Sequence, residues 1–166
     1  MTLSKILALS SVAAMGLVAT GAQAQSANSS ANAKVLQPMT IVKTADLKFG
    51  TVIVNGAGSV SVPADAGGVA VCGTTLTCQT GTSSSARFTV SGTKNENFIV
   101  TMPTTVSMTG PGTAIPVALV NNTTANKAVL SSTGSYALNV GGSFSVPADQ
   151  VGGDYTGTYT VAVSYF

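Results

Sequence analysis

The chain has 166 residues, a formal net charge of +2 and only 7% charged residues, against about 25% in ordinary soluble domains. It contains no histidine and no tryptophan. The first absence removes the commonest general base and zinc ligand and argues against Ser-His-Asp or Cys-His hydrolases. The scattered charges form no basic patch, so no nucleic-acid partner is expected.

Met1 to Lys5 form a short basic start, Ile6 to about Thr20 an apolar run, and Ala22-Gln23-Ala24 a small-residue cleavage pattern. Together they predict a secretory signal peptide over residues 1–24. The run is too short and too rich in Ser, Gly and Ala for a membrane span, and the mature chain offers no other candidate. The mature protein is therefore expected to be soluble or assembled outside the cytoplasm. Residues 25–34 start the mature chain with QSANSSANAK; up to Ala33 it is small, polar and without hydrophobic periodicity, which predicts a flexible tail.

Residues 34–166 are expected to form a single domain. Lys34 to Lys43 read as a first strand, with Val35, Met39 and Ile41 on one parity and Pro38 marking an edge or an interruption. Leu47 to Val54 predict a strand with a bulge at Gly50, and Asn55-Gly56-Ala57-Gly58 a hairpin-type turn into Ser59–Val62. Short strands at 69–72 and 76–78 flank the cysteines. In an oxidising compartment Cys72 and Cys78 are expected to form a disulfide. Closing so small a loop contributes roughly 2 kcal/mol and would pin a loop or hairpin tip. The spacing is not that of a C-x-x-C redox pair.

Further strands are expected at 86–92, 97–102, 105–108, 115–120, 128–130 and 135–140, separated by Gly, Asn and Pro turns. No helical periodicity follows the signal peptide. Many short strands at this spacing predict an all-β, immunoglobulin-like antiparallel β-sandwich. One internal echo is present: Ser59-Val60-Ser61-Val62-Pro63-Ala64-Asp65 recurs as Ser143-Phe144-Ser145-Val146-Pro147-Ala148-Asp149. Two similar edge hairpins would account for it. Asp65, Asp149 and Asp154 could contribute to a calcium site, but solvated turn carboxylates are the simpler reading. No cofactor is implied.

The last stretch, Gly153 to Phe166, alternates with the period of a strand. Tyr155, Tyr159, Val161, Val163 and Tyr165 point one way, and Thr156, Thr158, Thr160 and Ser164 the other. By itself this could be the final strand of any secreted sandwich. Its register also resembles the C-terminal strand of chaperone–usher pilus subunits. Tyr165 is penultimate, Gly153 stands fourteenth from the end, and Val163, Val161 and Tyr159 fill alternate positions. In that family an assembly chaperone reads this strand by adding its own.

Leu47-Lys48-Phe49-Gly50 near the start, with Gly142–Val146 and Gly153–Val161 near the end, resemble a family of small secreted proteobacterial proteins known only as a domain of unknown function. That group is similar in design to chaperone–usher and spore-coat-type pilins. The resemblance implies a sandwich left incomplete and completed by a donor strand from the next subunit, with a periplasmic chaperone and an outer-membrane usher as partners. Val35, Met39 and Ile41 would then be the donor residues. The close pair Cys72 and Cys78 departs from the best-known pilins, whose disulfide joins distant strands.

Two functions follow as expectations. The first is a structural subunit of an extracellular filament or coat, with copies of the chain joined head to tail by residues 34–43. The alternative is a self-complete secreted binding or adhesin module, with those residues paired in their own subunit. An enzyme is not expected: Ser91 near Lys94 is the only Ser–Lys pair worth naming in the mature chain, and it lies at an ordinary strand end.

Overall fold

The computed structural model describes residues 25–81 and 83–166. The signal-peptide expectation for residues 1–24 lies outside the described residues. Val35–Phe166 form a compact unit. Residues 25–35 are exposed and carry no regular structure.

The compact unit is all-β and antiparallel. Its strands are β1 (Thr40–Ala45), β2 (Val52–Val54), β3 (Gly58–Val62), β4 (Val71–Cys72), β5 (Leu76–Cys78), β6 (Ala86–Ser91), β7 (Asn97–Thr101), β8 (Thr105–Met108), β9 (Ile115–Asn121), β10 (Lys127–Val129), β11 (Ser135–Val146) and β12 (Ala162–Tyr165). In the long strands side chains alternate between two faces, and one face turns inward. In β9, Ile115, Val117 and Leu119 are buried while the residues between them are exposed.

The spine is β11. Val140 pairs with both Ala86 of β6 and Asn121 of β9, and Gly142 with both Val62 of β3 and Leu119 of β9. A strand has two edges, so β6 and β3 share one edge of β11 in succession and β9 occupies the other. β1 extends the sheet beyond β6, β4 beyond β3, and β8 beyond β9. A second sheet has the order β10-β7-β12, and β2 pairs with β5 as a small third sheet. The sheets enclose two cores. Val90, Phe98, Val100, Leu130 and Leu138 form one, between the first half of β11 and the β10-β7-β12 sheet. Val60, Ile115, Val117, Val140, Phe144 and Val146 belong to the other, at the second half of β11. Each such side chain contributes on the order of 1.5–3 kcal/mol by leaving water. The architecture is that of a β-sandwich with one strongly curled sheet.

Several boundaries differ from the sequence reading. β11 does not end at Val140 but continues through Gly141-Gly142. Those glycines mark close approach: a Cβ on Gly141 would collide with the Val62 carbonyl oxygen, and one on Gly142 would lie 2.9 Å from the Ala118 oxygen. The echoed segments are not two edge hairpins. They are neighbours in one sheet, paired Ser59 with Ser145, Val60 with Phe144 and Ser61 with Ser143. The repeated unit thus pairs with itself about a local two-fold centred on Val60 and Phe144.

The expected strand at 47–54 is shortened to β2, because Gly50 adopts φ +76° and the chain before it makes only an isolated bridge, Lys48 to Ser84. No hairpin joins β2 to β3: β2 pairs with β5, and β3 with β11 and β4. The expected long final strand shrinks to β12, and residues 157–161 enter no ladder. The first ladder covers Thr40–Ala45, with residues 34–39 outside it.

A seam and an apolar cleft as candidate functional site

Two features could serve assembly or binding. The first is a seam between sheets. β1 pairs with β6 of its own chain, Thr40 facing Ser91 and Ile41 facing Val90. Across the seam it approaches β12, with which it shares no ladder. Met39 and Ile41 pack on the first core, as do Val161, Val163 and Tyr165. Val35 does not join them and is 90% exposed.

Tyr165 fastens the seam. Its hydroxyl accepts a hydrogen bond from the Thr93 backbone N–H (2.7 Å) and donates one to the Gln37 carbonyl (2.9 Å). The Gln37 N–H in turn donates to Thr93 Oγ1 (2.7 Å). Gly92 allows this arrangement, since a Cβ there would strike the Tyr165 hydroxyl. The strand period predicts that Tyr165 faces inward. It does not reveal this three-residue latch, whose partners are distant in sequence.

The second feature is a cleft of about 860 Å³ at the Phe144 end of β11. Its floor is apolar, built from Phe144, Val117, Val106 and Met108, with Phe49 set edge-on to Phe144 at 4.8 Å between ring centroids. One wall is the segment 47–54 and the other the segment 150–159. The second wall is held by Tyr155. Its hydroxyl donates to the Val151 carbonyl (2.7 Å) and accepts from Gln150 Nε2 (2.6 Å) and the Gly112 N–H (3.0 Å). Gly110 and Gly112 make room for Tyr155, as a Cβ on Gly110 would lie 2.6 Å from the ring and one on Gly112 2.6 Å from the hydroxyl. Gly153 sits at φ +145°, and a Cβ there would lie 2.6 Å from Pro111 Cγ. A tight loop contact thus accounts for that glycine.

Tyr159 lines the cleft, and burial, with a smaller contribution from the Asp46 charge, pushes its pKa up to about 12. Along the last segment, Tyr155 and Tyr159 therefore serve the cleft while Val161, Val163 and Tyr165 serve the other core. One strand-like parity spans both.

Cys72 and Cys78 form a disulfide with Cα atoms 5.7 Å apart. It closes the short turn at Thr74–Thr75, a loop rather than a hairpin tip, since β4 and β5 do not pair with each other. Cys72 on β4 faces Val60 of β3, and Cys78 on β5 faces Val52 of β2, so the bond ties the small β2–β5 sheet to the large one. Asp65 and Asp149 occupy separate turns, and the Asp65 carbonyl, not its carboxylate, accepts from Ser85 Oγ (2.6 Å). Among the described residues, no three acidic, cysteine or histidine side chains gather closely enough to hold a metal ion. Ser91 lies within the β6 ladder opposite Thr40 and Ser135. Among the described residues, no helix is long and apolar enough to cross a membrane.

The fold and cleft define an antiparallel β-sandwich protein with one incompletely covered pole. The chain belongs to the family described as "Domain of unknown function (DUF4402)", whose model matches residues 39–165. The match starts just before β1 and ends with β12, leaving residues 25–38 outside it. No curated protein and no solved structure matches the chain.

Proposed function

We propose that this chain is a structural subunit of an extracellular bacterial filament or surface coat, assembled from copies of itself through a chaperone-type pathway. The observation that carries this reading is the open pole: an apolar cleft whose walls are not joined into a sheet. Apolar surface and unpaired backbone at a sandwich edge are what a strand supplied in trans satisfies. A head-to-tail contact of that kind does not close on itself and so builds a fibre. The expected signal peptide and the cross-sheet disulfide fit passage through an oxidising periplasm. An assembly chaperone would engage β12 at the seam, displacing β1 while it did so, and an usher would follow.

The test is a denaturing gel of the cell-surface shear fraction, unheated and heated, probed for this protein. A ladder that collapses to one band on boiling is expected. A single monomer band in both lanes, from folded protein, would sink the reading.

One observation favours a second reading, a self-complete secreted binding or adhesin module. β1 completes the ladder of β6 within its own chain, and the cleft volume lies within the range of small-molecule sites, about 300–1,000 Å³. That reading predicts a monodisperse monomer at all concentrations in light scattering.

A further inference from the structure

The turn between β2 and β3 carries a reactive pair that neither reading of the cleft uses. It is Asn55-Gly56, the one Asn-Gly in the chain. An asparagine side chain is open to attack by the backbone nitrogen of the next residue, one source of the thermal lability of asparagine. The attack needs an unhindered nitrogen and a freely turning backbone, and glycine supplies both because it has no Cβ.

The structure leaves both groups available. β2 ends at Val54, paired with Leu76, and β3 begins at Gly58, so residues 55–57 lie between ladders. Asn55 is exposed. Its own N–H donates to the Thr75 carbonyl (3.2 Å), but among the described residues neither its side chain nor the Gly56 N–H has a hydrogen-bond partner.

Asparagines elsewhere in the compact unit are held or hindered. Asn121 donates to Asn126 (2.8 Å), and Asn122 both donates to the Ala137 carbonyl and accepts from the Asn139 N–H. Asn95 and Asn97 precede the bulkier Glu96 and Phe98. The internal echo gives the sharpest contrast. It extends back by four residues, with Asn55-Gly56-Ala57-Gly58 matched by Asn139-Val140-Gly141-Gly142. In the second copy the asparagine is buried and the residue after it stands in two ladders. The same unit is open once and locked once.

We propose that Asn55-Gly56 is a self-modification site, converted to aspartyl and isoaspartyl forms without an enzyme. The Gly56 nitrogen bonds to Asn55 Cγ and gives its proton to solvent. The Cγ–Nδ2 bond breaks, and the amide nitrogen takes up a proton and leaves as ammonia. The cyclic imide that results is opened by water. Opening at Cγ leaves aspartate. Opening at the Asn55 backbone carbonyl leaves isoaspartate, with one more methylene in the main chain. No oxidant or reductant takes part, and either product adds a carboxylate to the turn.

The isoaspartyl form also acts on the cleft. The β3 side of the turn is tightly packed: a Cβ on Gly58 would lie 2.6 Å from Thr75 Oγ1 and 2.7 Å from Leu76 Cγ. Thr75 Oγ1 also donates to the Ala57 carbonyl (2.5 Å). The longer main chain is therefore taken up by β2, whose Val52 and Val54 line the cleft. This holds whether the cleft receives a strand or a small ligand.

The test incubates the purified full chain at mildly alkaline pH and follows ammonia release, intact mass and methylation by an isoaspartyl-specific methyltransferase. Fragmentation should place the change at Asn55. Gly56→Ala fits the fold, since a Cβ there comes no closer than 3.4 Å to Thr75, and it should slow the reaction several-fold. Asn55→Ser should abolish it at this position. NMR signals of Val52 and Val54 should shift as the unmodified chain ages and should hold still in Gly56→Ala. No ammonia release, change confined to Asn28-Ser29 in the exposed tail, or equal rates with and without Gly56→Ala would overturn the inference. Unmoved Val52 and Val54 signals in the isoaspartyl product would overturn its link to the cleft wall.

Discussion

The hydroxyl of Tyr165 is the residue-level feature that the fold uses most economically. One oxygen satisfies the Thr93 N–H and bonds the Gln37 carbonyl. Tyr165→Phe leaves the ring in the core and removes only these bonds. It should cost about 1–3 kcal/mol, because a partly buried donor loses its acceptor, and urea unfolding would measure it. Tyr159 makes a different prediction. Burial favours its neutral form and raises its pKa from 10.0 to about 12, so the unfolded chain ionises first. Its contribution to stability is complete below pH about 10 and is lost as pH rises towards about 12. Burial raises the pKa of Tyr136 in the same direction. Thermal melts across that window should show a fall that Tyr159→Phe partly removes. Gly141 is a third case. Its absent side chain lets the Val62 carbonyl approach, so Gly141→Ala should destabilise by about 1–3 kcal/mol through overpacking.

At the scale of elements, β11 carries the argument. Leu138 is fully buried on its first half, and Leu138→Ala should cost roughly 2–5 kcal/mol, read from denaturant midpoints. The disulfide acts on another element. Reducing Cys72–Cys78 should lower stability by about 2 kcal/mol. Because the bond ties β2–β5 to the large sheet, amide exchange should rise first at Val52–Val54, in the cleft wall. If exchange rises instead at β7, the disulfide does not brace that wall. The strand pattern was legible in sequence for β6, β7, β8 and β9, where a short apolar or alternating run is bounded by turn residues. It failed at β11, because a Gly-Gly pair resembles a turn unless a neighbouring backbone is seen packed against it. At β12 it overran, since alternation specifies which face is buried but not whether a partner strand lies alongside.

For the whole molecule, the two poles differ: one holds β1 under the Tyr165 latch, and the other opens into the cleft. The local code of the chain was sufficient for an all-β antiparallel fold, for the inward parity of Tyr155 through Tyr165, and for a pairing of the two cysteines. Period, turn chemistry and short loop closure act between near neighbours, so they can be read in order along the chain. The partners of each strand were a different matter. That the SVSVPAD echo pairs with itself, that β2 joins β5 rather than β3, and that Phe49 and Phe144 meet in one cleft all depend on contacts between distant residues. Such contacts are decided by which apolar faces can be buried together, and that competition is resolved only when the whole chain packs.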